Sequence, residues 1–244
     1  YNTDHRTIRK ILKTFKIEFL SNRKYFFNES YFEKIDSEEK AYFLGLIYAD
    51  GCNTGEGLKI GLQLKDSYIL DKLAKKLNYH GLPNITSNKK LPNNFYSVYY
   101  FYSKKLSKDL INLGVLRRKT YFLEFPNTEI IPEEYQSHFI RGYFDGDGCI
   151  GKSLSTRTIN QHYITFVGLD TFLESIMNII NKYYAENKGS ISYKKNHYKH
   201  TKYLTYSGNN IVYKIYNYLY KNCGDLYLTR KEEKFDKIEL KIKK

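Results

Sequence analysis

Two aspartates, Asp50 and Asp147, end two closely similar stretches, FLGLIYADGC at 43–52 and IRGYFDGDGC at 140–149. Gly45, Asp50, Gly51 and Cys52 recur as Gly142, Asp147, Gly148 and Cys149, each pair 97 residues apart. Four identities in register within ten residues mark a duplication. Each stretch reads as an apolar helix that stops at Asp-Gly. Gly45 and Gly142 leave room for two such helices to pack backbone to backbone. Gly51 and Gly148 suit the position after a helix end, where positive φ is needed. The aspartates are misplaced electrostatically, because the C-terminal end of a helix is already negative. Their repetition implies a compensating cation. If the helices pair about a pseudo-twofold axis, Asp50 and Asp147 fall side by side. With helix-end carbonyls they make an all-oxygen site suited to Mg²⁺. Paired divalent metals there can activate a water and stabilise a leaving 3′ oxygen, the chemistry of phosphodiester hydrolysis.

The elements that must position these carboxylates are duplicated too. Tyr68–Leu77 carries Ile69, Leu70, Leu73 and Leu77 at helical spacing, and Phe172–Tyr183 is its counterpart. A strand-like stretch precedes each helix, Leu58–Leu64 and Tyr163–Val167. Two β-rich runs follow each: Ile85–Lys90 with Tyr96–Tyr102, and Ser190–Lys195 with Tyr203–Tyr206. Lys104–Leu113 and Asn209–Tyr220 then read as helices, and Arg118-Lys119-Thr120 echoes Arg230-Lys231-Glu232. Each half therefore reads helix, two strands, helix, two strands, helix, an α+β chain with antiparallel sheets. Ser37 is set to cap the first motif helix, with Glu38 and Glu39 at its positive end. Pro126 and Pro132 mark a linker between halves. The expected organisation is a basic helical segment at 1–36, a first repeat at 37–126, a linker at 127–136, a second repeat at 137–236 and a basic tail at 237–244.

The two motifs, their spacing and the downstream pattern resemble the LAGLIDADG homing endonucleases in their single-chain form, over roughly residues 39–236. The resemblance implies a monomer of two pseudo-symmetric αββαββα halves. The motif helices would meet at a central interface, and two four-stranded sheets would form a saddle over a long DNA site. It implies cutting of both strands across the minor groove to leave 3′ overhangs, with Mg²⁺, or Mn²⁺ in its place. By the same resemblance Asp50 and Asp147 are the metal-binding catalytic acids, and the carbonyls of Ala49 and Gly146 add ligands. Lys119 and Lys231 follow the last strand of each half, where a basic residue attends each scissile phosphate. Gln63 ends a strand where a water-positioning residue is often found, although its counterpart lies near Val167. Tyr48 departs from the aspartate of the family motif, which the second copy keeps as Asp145.

Charge agrees with a nucleic-acid partner. Forty Lys and Arg oppose 26 Asp and Glu, a net +14, and residues 1–122 and 123–244 are both positive, so the excess is no detachable tail. Candidate DNA contacts are Lys59, Gln63 and Lys65; Lys89, Lys90, Tyr96 and Tyr100; Lys152, Ser155 and Arg157; and Lys194, Lys195, Lys199 and Lys202. Which alternate strand residues face DNA depends on a register that sequence leaves open. The basic segment 5–17, with Arg6, Thr7 and Arg9, reads either as the recognition half of a helix-turn-helix or as a plain amphipathic helix packed on the first repeat. His197 and His200 lack a third ligand nearby and read as solvent-facing.

Other classes are disfavoured. Forty-one per cent hydrophobic residues with 26 Tyr and 15 Phe argue against disorder. The longest apolar run, Ala41–Ala49, is about half of what a bilayer requires. No signal peptide opens the chain, and it begins at Tyr1 rather than Met, as a processed or trimmed chain would. Three cysteines without CxxC spacing suit a reducing, intracellular compartment. Expected partners are double-stranded DNA with a long asymmetric site and no membrane. The alternatives are a maturase that binds intron RNA and a DNA-binding regulator that does not cut.

Overall fold

The computed structural model describes residues 7, 14–15, 25–88, 91–117, 122–153, 161–183, 189–193, 201–236 and 238. The first motif stretch forms α1 (Glu38–Asp50) and the second forms α4 (Gln136–Asp147). Ala41 to Tyr48 of α1 are buried without a break, as in a helix surrounded by protein. Ser37 caps α1 by accepting from the Lys40 amide at 3.3 Å, with Glu38 and Glu39 in the first turn. The two helices pack against each other along their length.

Each motif helix leads directly into a strand. In the first half β1 (Gly51–Asn53) and β2 (Gly57–Gln63) are followed by a short 3₁₀ turn (Leu64–Asp66) and α2 (Ser67–Lys76). Then come β3 (Asn84–Asn88), β4 (Leu91–Tyr102) and α3 (Lys104–Asn112). In the second half the order is β5 (Gly148–Lys152), β6 (His162–Gly168), α5 (Asp170–Tyr183), β7 (Ser190–Ser192), β8 (Lys202–Ser207), α6 (Asn209–Tyr220) and α7 (Thr229–Asp236). Both sheets are antiparallel and have four strands, ordered β1-β2-β4-β3 and β5-β6-β8-β7. This is the duplicated α+β architecture expected from the sequence. Among the described residues no helix is long and apolar enough to cross a membrane.

The register settles which side chains share a face. Leu58, Ile60 and Leu62 of β2 pair with Phe101, Tyr99 and Ser97 of β4, and all six are buried against the helices. Lys59, Gly61 and Gln63 alternate onto the opposite face, beside Tyr100, Val98 and Tyr96. In the second sheet Ile164, Phe166, Leu204 and Tyr206 face the core, while Tyr163, Thr165, Tyr203 and Thr205 take the other face.

Three features differ from the sequence reading. Gly51 and Gly148 have φ of −82° and −98°, so neither needs a left-handed backbone. They are required by close approach instead: a Cβ on Gly51 would lie 2.7 Å from the Ile47 carbonyl oxygen, and one on Gly148 would overlap the Phe144 ring. Strands β1 and β5 begin on those glycines and are too short and glycine-rich to show alternation. Finally, the second half has one helix more than the expected pattern, α7, and Lys231 sits in its first turn. That helix is polar almost throughout and shows no apolar stripe.

Candidate active site and nucleic-acid face

The glycines bring α1 and α4 together reciprocally. A Cβ on Gly45 would overlap the Phe139 carbonyl, and one on Gly142 would overlap the Tyr42 carbonyl. Phe139 and Tyr42 each stand three residues before the opposing glycine, so the contact obeys a twofold. Further along, Ala49 of α1 lies against Gly146 of α4, and Asp50 Oδ2 is 2.7 Å from where a Gly146 Cβ would sit. The Asp50 carboxylate therefore lies over the residue that precedes Asp147. Both aspartates are exposed at neighbouring C-terminal helix ends. Among the described residues no group of three or more His, Cys, Asp or Glu could hold a metal ion. The donors offered are two carboxylates and main-chain carbonyls, all hard oxygen. That set fits Mg²⁺, which commonly takes one or two carboxylates and keeps several waters.

Beneath the aspartates lies a buried polar network. Asp145 is fully buried and accepts from Tyr42 Oη at 2.8 Å, Tyr220 Oη at 3.0 Å and the Leu228 amide at 3.0 Å. Burial pushes its carboxyl pKa up, against the pull of Lys231, the two tyrosines and Arg141. Tyr48, at the matching position of α1, instead donates to the Leu113 carbonyl at 2.6 Å. Arg141 donates to the carbonyls of Leu219 and Leu226 and lies over the Tyr42 ring. Its Nη1 also meets His138 Nδ1 at 3.0 Å; burial, then this guanidinium, hold the imidazole down to about 4.

Lys231 is buried to 3% exposure, and its Nζ donates to the carbonyls of Phe144, Asp145 and Gly148. These are end carbonyls of α4 and its exit, where a cation is favoured by the helix dipole. Burial lowers its pKa from 10.5 to about 8, while Asp145, Asp50 and Asp147 draw it upward. Both exposed aspartates are thus within electrostatic reach of this ammonium. Tyr143, whose hydroxyl donates to the Val167 carbonyl at 2.6 Å, feels both as well. A cavity of about 210 Å³ opens beside Asp147, lined in part by Tyr48, Ala49, Tyr143 and Gly168.

The remaining sequence candidates divide. Gln63 is half-buried at the end of β2, on the open face of the sheet opposite Tyr96. Counted from strand pairing its counterpart is Leu169; counted back from Tyr68 and Phe172, matched in the helix sequences, it is Val167. Both are apolar, so Gln63 stands alone of its kind. Lys59 projects from the open face over the Tyr100 ring, and Lys65 is exposed in the 3₁₀ turn. Lys152 and Lys202 share the parity of core residues Ile150 and Leu204, at strand ends, and not that of the open face. Lys202 is bonded to Asp170 at 3.2 Å on the helix side. The register, which sequence cannot supply, moves these two off the expected face. Arg6, Arg9, Lys89, Lys90, Lys119, Arg157, Lys194, Lys195 and Lys199 lie outside the described residues, as do Ser155, His197 and His200.

Sequence reasoning missed Arg141, His138, Tyr42 and Tyr220, which support the site from within. Their only signal was polar residues at buried helical positions, weak beside the apolar pattern.

No protein-family model matches the chain, and no curated protein matches it in sequence. Solved structures do match. The homing endonuclease I-WcaI, bound to its DNA recognition sequence, is 15% identical with a TM-score of 0.53, covering 91% of this chain and 97% of that one. The I-LtrWI LAGLIDADG homing endonuclease bound to target DNA is 12% identical with a TM-score of 0.50, over 86% of this chain and 88% of that one. The I-GzeII LAGLIDADG homing endonuclease in complex with its DNA target is 12% identical with a TM-score of 0.50, over 80% and 87%. The chain therefore has the LAGLIDADG homing endonuclease fold.

Proposed function

We propose that this chain is a sequence-specific, metal-dependent DNA endonuclease that cuts both strands of a long asymmetric site across the minor groove and leaves 3′ overhangs. The observation that carries the reading is the pair of exposed aspartates, brought together at the ends of two glycine-packed helices. Structural likeness to DNA-bound homing endonucleases supports it at the level of fold. Asp50 and Asp147 would hold Mg²⁺, with the Ala49 and Gly146 carbonyls as further candidate donors. When bound, the metal supplies a polarised water and charge stabilisation at the leaving 3′ oxygen.

The chain's own residues do the rest. Gly45, Gly142 and Gly146 let the helix ends approach so that the carboxylates converge. Lys231 offsets the negative helix end on which Asp147 stands; its three donors are taken by the carbonyls of Phe144, Asp145 and Gly148, so it acts through its charge. Gln63 orients a water at one strand only. The open faces of the two sheets, carrying Lys59, Tyr96 and Tyr100 on one side and Tyr163, Thr165 and Thr205 on the other, lie along the DNA. Their different chemistry suits an asymmetric target read by one chain acting as a monomer. Lys65, with other basic residues of the chain, neutralises phosphate.

The direct test is Asp50→Asn and Asp147→Asn. Each variant is expected to lose double-strand cleavage by at least about 100-fold, as when charge-stabilising groups are removed from a reacting centre. DNA affinity should stay within a few fold. Robust cutting by both variants would refute the two-carboxylate site.

A further inference from the structure

Lys231 reaches the end of α4 on a strap, residues 225–230, that is gripped from both halves of the molecule. The second half holds two positions, 226 and 228: Arg141 Nε donates to the Leu226 carbonyl at 3.0 Å, and the Leu228 amide donates to Asp145 at 3.0 Å. The first half holds the others. Lys72 pairs with the Asp225 carboxylate at 2.8 Å. Tyr68 Oη donates to the Tyr227 carbonyl at 2.9 Å and accepts from the Thr229 amide at 2.7 Å. Arg230 Nε donates to Asp66 Oδ2 at 2.7 Å. Asp66 is only 3% exposed, so burial as well as the ion pair fixes its carboxylate in place. The next residue along the strap is Lys231.

We propose that Asp66 is a positioning residue that acts through Arg230 to set Lys231 on the helix end. The active site served by Lys231 is then assembled jointly by the two halves. Asp66 belongs to the 3₁₀ turn that follows Gln63, so one short segment of the first half carries both a residue at the site and the anchor of its lysine. Among the described residues the device has no counterpart in the other half. The matching aspartate, Asp170, which opens α5, bonds Lys202 of its own half and is half-exposed. The two strand scissions therefore differ in their dependence on docking between the halves. This inference rests on the endonuclease reading.

The experiment is single-turnover cleavage of a target duplex with the two strands separately labelled, using the full chain and its Asp66→Asn variant. The variant is expected to cut one strand roughly 10- to 100-fold more slowly, the size of effect that small misplacement produces, and the other strand within about 3-fold of normal. A nicked intermediate should accumulate while DNA affinity holds. Tyr68→Phe, a gentler change that frees the Thr229 amide and the Tyr227 carbonyl, should bias the same strand to a lesser degree. Arg230→Lys should retain part of the activity. Equal slowing of both strands, or normal cutting by both Asp66→Asn and Tyr68→Phe, would overturn the proposal while leaving the endonuclease reading in place. No cutting by the unsubstituted chain would overturn that reading, and this inference with it.

Discussion

Tyr48 and Asp145 stand at matching positions in the two motif helices and answer the same burial problem with opposite hydrogen-bond polarity. Tyr48 brings a donor and finds the Leu113 carbonyl; Asp145 brings only acceptors and collects two tyrosine hydroxyls and an amide. Sequence showed the departure at Tyr48 but not its partner, the Leu113 carbonyl, nor that Tyr42, Tyr220 and Leu228 gather round Asp145 in the fold. The aspartates at 50 and 147 were legible because they recur where the helix dipole disfavours them. Lys231 was legible as a candidate, but its burial was not. The burial has a consequence for pH. The unfolded chain keeps the Lys231 proton up to about 10.5, while the folded chain releases it from about 8. Between those values the unfolded state binds more protons, so the Lys231 contribution to stability rises with pH. Cleavage should move the other way, falling above pH 8 as the ammonium is lost. Single-turnover rates from pH 7 to 9.5, with melting temperatures alongside, check this. A rate that stays level across the range would remove Lys231 from the reaction.

The motif helices meet backbone to backbone, so their glycines tolerate no side chain. Gly142→Ala sets a methyl into the Tyr42 carbonyl, and the helices must separate to admit it. The expected loss is at least about 3 kcal/mol, at the upper end for overpacking, measured by urea unfolding. An unchanged midpoint would mean that the helices are not in contact there. Elements with strong periodicity were readable in advance. Asn209–Tyr220 and the helices over 68–77 and 172–183 come out within a few residues of their expected limits. Elements without periodicity were not. Strand β1 has three residues and α7 buries little besides Lys231 and Phe235, so tertiary contact rather than local pattern creates them. The glycines after the helices were correctly singled out for the wrong physical reason: close approach, not backbone handedness.

At the scale of the whole molecule, duplication made the fold legible and asymmetry made the site only partly so. A repeat offset of 97 residues predicts two like halves. It does not predict that Asp66 reaches across to Arg230 while Asp170 stays with its own half. Nor does charge patterning reveal that Lys202 turns to the helix side while Lys59 stays on the open face. If the net +14 is the binding surface, DNA affinity falls steeply as salt rises, through release of counterions. A titration at several salt concentrations reads the slope, and a flat profile would place the contact elsewhere. The most direct test of the central claim is cleavage selection from a randomised duplex library, run in parallel with Mg²⁺ and Ca²⁺. The account predicts recovery of one consensus of roughly 20 base pairs, long enough to run the length of a two-sheet saddle, cut on both strands with Mg²⁺ alone. Enrichment by binding with no cut in Mg²⁺ or Mn²⁺ would contradict it.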